Sequence, residues 1–322
     1  MAEFFNATHL RSYLRKQWHD RGYTIPDGDQ VGVPIGAIAE HSPKRNSAIE
    51  MPHLDLWISI LDEHISWFVS LSAVVWDKRH ADREFSNVEK SLFLLISKII
   101  SDMSAIRLLV IAGYDTSART ILRSLSEYLE VLVAIIHKPI FADAFVLSDT
   151  PEGAQKFWEE NLRGGGIRKR VEAAWKDFFN NDGKAAAEWF ANWGRGDIPM
   201  LSGLAHPSLG GGLFSTIPLK VKYHKDDWPG FFGDKAESSV DTIFILLKFI
   251  FPVLLLGREF PFDKSSQEIS RKYDDSDELH RHVKVGKDIL ASLILSLSQE
   301  SNIAHVFPDI DMSIWPEDSK SV

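Results

Sequence analysis

Cysteine is missing altogether from the 322 residues. That absence removes disulfides, thiolate nucleophiles and thiolate zinc sites together. Long apolar runs are missing too. The most hydrophobic window, Ile243 to Leu256, is only 14 residues long and contains Lys248 and Pro252. A bilayer span needs about 20 apolar residues, so this window reads as a buried core helix and no membrane partner is expected. Positive charge is not in excess either: 36 Lys and Arg against 45 Asp and Glu leave a net −9. An acidic chain argues against a broad nucleic-acid-binding surface and leaves room only for a local basic groove. The start Met1-Ala-Glu-Phe-Phe lacks the basic and apolar regions of a secretory signal. Together with the missing cysteines, this sets cytoplasmic localisation as the expectation. The chain also lacks His-Glu-x-x-His, Gly-x-Ser-x-Gly and Gly-x-Gly-x-x-Gly. No metal or cofactor is expected.

What is present is globular in character, with 44% apolar and 25% charged residues, 10 tryptophans and 20 phenylalanines. Residues 1–50 read as an N-terminal surface helix followed by an irregular Pro-, Gly- and Ser-rich arm, and 51–322 as a helical-bundle domain. Leu54 to Trp76 carries Leu, Trp, Ile, Phe and Val at helical spacing, with Asp55, Ser59, Asp62, Ser66 and Ser70 on the opposite face. Ser86 and Glu89 form a capping box that opens a helix running to about Ala112, where Gly113 suits the left-handed end. Asp115 or Thr116 caps the next helix, and Lys138-Pro139 closes it. Two long helices joined by so few residues must pack antiparallel. Further starts are marked by Thr150-Pro151, by Asp234 with Glu237 and by Asp275 with Glu278. Gly164 to Gly166 should end one helix before another runs from Ile167 to Phe179, and Pro252 should kink the apolar helix that ends near Gly257. Strand alternation is confined to a weak candidate at 217–223. The fold class that follows is all-α, an antiparallel helical bundle.

Ionisable groups converge in one place. On the helix from Thr116 to His137, Arg119, Arg123, Glu127 and Glu130 line one face. Arg123 and Glu127, four apart, would contribute only about 0.3–0.5 kcal/mol as a solvated pair. If the stripe faces inward instead, Arg123 can hold a phosphate or carboxylate while Glu127 orients it. Both readings stay open on sequence alone. A second candidate is the segment from Leu201 to Ser208, with Ser202 and with His206 held extended before Pro207. Such a histidine serves either as a general base or as a hydrogen-bonded element of the turn. The third is Arg163 to Arg170, where three glycines precede a helix start bearing Arg168, Lys169 and Arg170. Free backbone donors there attract anions, and a plain surface turn is the alternative. His280 and His282, two apart on a helix, point to different sides and do not share a metal.

The Arg123-x-x-x-Glu127 helix followed by Ser202-x-x-x-His206 resembles a large group of bacterial helical proteins of unknown function. That group is distantly similar to the HEPN superfamily of nucleotide-binding helical bundles, many of them ribonucleases of defence or toxin systems. The resemblance spans roughly residues 85–257. It implies a binding or interaction module in bacterial defence or stress response, or a metal-independent ribonuclease. In the latter Arg123 would stabilise charge on phosphate and His206 would act as acid or base, with Glu127 beside them. Arg119, Ser202, Arg168 and Arg170 would complete a ligand site. The superfamily's signature of arginine, four to six residues, then histidine on one helix is not found here. The implied partners are a second copy or another protein, RNA, or a small anionic ligand.

Overall fold

The computed structural model describes residues 7–22, 54–76, 85–178, 196–205, 239–256 and 276–299. These are all-α, with no strand among the described residues. Helix α1 spans Ala7–Asp20, α2 Leu54–Val75, α3 Asn87–Ile111 and α4 Asp115–His137. Short α5 (Phe141–Val146) and α6 (Pro151–Phe157) follow, then a π turn at Trp158–Leu162, and α7 at Gly166–Phe178. Helix α8 covers 196–205, α9 Ser239–Leu256 and α10 Glu278–Gln299. The candidate arm at 26–52, the strand candidate at 217–223 and the start signal at Asp234 lie outside the described residues.

The hairpin forms as its punctuation requires. Ser86 and Glu89 make both halves of the capping box, and Gly113 takes φ 80° after the α3 C-cap. The turn is so short that α4 runs back along α3, the most extensive helix pair. Asp115 does not cap α4: Tyr114 holds the N-cap position without a side-chain bond, and Asp115 turns into the protein. At α10 the cap is Asp277, its carboxylate accepting from the amides of Leu279 (3.0 Å) and His280 (3.2 Å), while Asp275 lies outside the described residues.

Helix α2 is the axis of the core. It touches α1, α3, α9 and α10, so its apolar face and, Asp55 apart, its polar face are buried. Its hydroxyls survive this by bonding backwards along their own helix: Ser59 to the Asp55 carbonyl at 2.8 Å and Ser70 to that of Ser66 at 3.1 Å. By length and composition α2 is apolar enough to cross a bilayer, yet 78% of that stretch is covered by other helices. Helix α1 is an amphipathic surface helix, with Ser12, Arg15, Lys16, His19 and Asp20 exposed. Leu10, Leu14 and Trp18 recur every four residues and bury one face against α2 and α10. Helix α9 is continuous through Pro252.

Candidate functional site

Helix α4 presents its polar stripe to two different environments. Towards its start, Arg119 is buried. Its Nε lies 2.9 Å from Asp115 Oδ2 and donates to Thr242 Oγ1 of α9 at 2.9 Å. The Thr242 hydroxyl in turn donates to Asp115 Oδ1, so three side chains close a ring across 127 positions of sequence. Nη1 of Arg119 reaches the Met200 sulfur of α8 at 3.7 Å. Arg119 therefore joins helices rather than facing solvent.

One turn on, the stripe opens. Arg123 donates from Nε to Ser202 Oγ at 2.9 Å, and Nη2 pairs with Glu127 Oε1 at 2.7 Å. The side chains of Arg123 and Glu127 are 23% and 32% exposed, neither a buried pair nor a free one. Arg123 and Ser202, candidates from separate stretches of sequence, thus meet directly. His206 lies outside the described residues.

The next turn holds the group that sequence spacing underrates. Glu130 is 5% exposed, and its Oε1 sits 3.5 Å from Arg168 Nη2 of α7. That is at the edge of hydrogen-bonding reach, and Oε1 finds no aligned donor among the described residues. Burial pushes the carboxyl up from 4.5 to about 7, with Arg168 and then Arg123 pulling it down and Glu127 pushing it up. Arg168 itself is 23% exposed. So the arginine stripe and the glycine-led turn, read apart in sequence, converge on Glu130. Arg170 does not join them. Two residues on along α7, it points away, its guanidinium 4.4 Å over the Phe141 ring and 3.2 Å from Asn161 Oδ1.

No family model matches this chain, nor does any curated protein or solved structure.

Some charged groups escaped sequence reasoning. Asp62 of α2 and Arg107 of α3 form a buried, bidentate pair through Nε to Oδ1 and Nη2 to Oδ2, the latter at 3.0 Å. His64 is fully buried, its Nδ1 2.8 Å from the Ile60 carbonyl and its Nε2 without a hydrogen-bond partner among the described residues. Burial lowers its pKa from 6.5 to about 4, against the pull of that carbonyl, so the ring is neutral near pH 7. The only signal in the sequence is a run of Asp, Glu and His inside an apolar helix. At the other end of the chain, His282 stacks on Trp18 with ring centroids 5.0 Å apart, and burial lowers its pKa.

Proposed function

We propose that this protein is a binding module that takes up an anionic group, phosphate or carboxylate, between Arg123 and Arg168. The observation that carries the reading is Glu130: a buried carboxyl that stays protonated up to about pH 7 while two partly exposed arginines face it. When Glu130 is neutral, Arg168 lacks a full counter-charge and has most of its five donors to offer. An incoming anion supplies the missing charge. The partner is RNA, a small anionic ligand or the acidic face of another protein.

The test is calorimetric titration at pH 6 and pH 8 with sulfate, whose charge is the same at both, and with a short RNA. Binding should be tighter at pH 6, weaken in Arg123→Ala and Arg168→Ala, and lose its pH dependence in Glu130→Gln. Wild-type affinity in both arginine variants overturns the reading.

A second reading is favoured by the contact of Arg123 with Ser202, in the helix that immediately precedes His206 in sequence. It is the metal-independent ribonuclease implied by the HEPN-like resemblance, in a bacterial defence or stress role. Arg123 would steady phosphate charge and His206 would move the proton. Labelled total RNA incubated in EDTA should then be cut by wild type and left intact by Arg123→Ala and His206→Ala.

A further inference from the structure

A second cleft, of about 290 Å³, opens where the end of α4, the start of α5, the π turn and α7 meet. It is separate from the Arg123–Arg168 site: its α7 wall is built by Gly166, Lys169, Arg170 and Ala173, whereas Arg168 turns to Glu130. We propose that this cleft binds the phosphomonoester group of a small molecule.

Charge is the first support. Lys138, Lys169 and Arg170 line the cleft against a single acid, Glu160. Neither lysine makes an ion pair among the described residues, so both ammonium groups are available in a chain whose overall charge is −9. A phosphomonoester carries about −1.5 to −2 near neutral pH with three acceptor oxygens, which matches the two surplus positive charges. The helix ends oppose one another. The C-terminal carbonyls of α4 repel an anion and the first amides of α7 attract it, each as a partial charge of about half a unit. The full charges therefore set the sign.

The second support is that the cationic wall is already built. The Arg170 guanidinium is held between the Phe141 face and Asn161 Oδ1, so little side-chain freedom is lost on binding. Gly164 and Gly165 take φ 65° and 78°, and a Cβ at Gly166 would stand 2.7 Å from the Asn161 carbonyl oxygen. The three glycines thus fold α7 tightly onto the π turn that carries Glu160 and Asn161. His137 is steadied by Asp177, 2.7 Å from its Nε2. Ala134, Phe141 and Ala173 give the ligand's organic part an apolar wall.

Such a group reaches the cleft either on a soluble metabolite or on a lipid headgroup, since Ile140 beside it is 77% exposed. Two probes separate the sources: glycerol 3-phosphate followed by 31P line broadening, and co-sedimentation with phosphatidylcholine vesicles with and without phosphatidic acid. The folded full chain should bind at least one probe. The Lys138→Ala/Lys169→Ala double variant, confined to the surface, should weaken that binding by about tenfold or more. Because the Arg123–Arg168 site also takes anions, the comparison is repeated in an Arg168→Ala background, where the loss in the double variant should persist. Response to glycerol 3-phosphate assigns a soluble ligand, and response to phosphatidic acid vesicles alone assigns a lipid. Binding of neither probe at millimolar concentration, or equal binding by the double variant, overturns the proposal.

Discussion

Glu130 pits burial against its neighbours. The unfolded chain releases this proton near pH 4.5, whereas the folded protein keeps it to about pH 7. Folding therefore loses stability as pH rises from 4.5 to 7, and the cost stays constant above that, at about 3 kcal/mol from the size of the displacement. Glu130→Gln keeps the shape and removes the titration. Its melting temperature should exceed wild type at pH 8 and coincide with it at pH 4; thermal melts at the two pH values decide, and an equal shift at both would refute the assignment. Arg123 and Glu127 are recognisable in sequence as neighbours, because four residues bring side chains onto one helical face. Glu130 is visible as part of the same stripe, but not its burial under Arg168. Nothing local in the sequence specifies which helix covers which turn.

Between elements, the load is carried by contacts that link α2 to its neighbours. Asp62 and Arg107 satisfy each other inside the core of α2 and α3. Removing one partner strands a buried charge, a loss of about 3–5 kcal/mol. Arg107→Met should thus melt well below wild type, whereas Asp62→Leu/Arg107→Met together should recover much of the difference. Denaturant titration of the single and double variants reads this directly. At α10, Gly286 faces the Trp67 ring, and a Cβ added at that position would stand only 3.0 Å from the ring Cδ1. Trp67 is itself pinned by donating to the Val283 carbonyl at 2.9 Å. Gly286→Ala should therefore destabilise, even though alanine inside a helix ordinarily gains about 1 kcal/mol over glycine. A raised melting temperature would show that the ring yields. Caps and turns such as Ser86–Glu89, Gly113 and Thr150-Pro151 are legible because their chemistry is local. The polar face of α2 is not legible as buried, since Asp62 meets a counter-charge 45 residues away and the serines meet their own backbone. Helix α5 also goes unseen, six residues being too few to display a period.

Across the whole molecule, two opposing titrations overlap. His64 is held neutral down to about pH 4, so stability falls as pH drops from 6.5 to 4 while the unfolded chain takes up the proton. Glu130 works the other way over nearly the same window. Burial gives Asp288 the same direction as Glu130, and His282 the same as His64. Stability should therefore vary little between pH 4.5 and 6.5 in the wild type. Glu130→Gln should uncover a rising profile over that window and His64→Gln a falling one. Denaturation midpoints taken at half-unit steps of pH would expose either slope, and unchanged profiles in both variants would refute the balance.

The ring of Asp115, Arg119 and Thr242 also has a consequence in time. A ribosome adding about 5–20 residues each second completes Arg119 roughly 6–25 seconds before Thr242, the two being 123 positions apart. During that interval the α3–α4 hairpin exists without the hydroxyl that ties its carboxylate and guanidinium to α9. The apolar surface destined for α9 is bare for the same interval. The nascent chain thus passes through a stage with that apolar surface uncovered, and it ends when α9 emerges and docks.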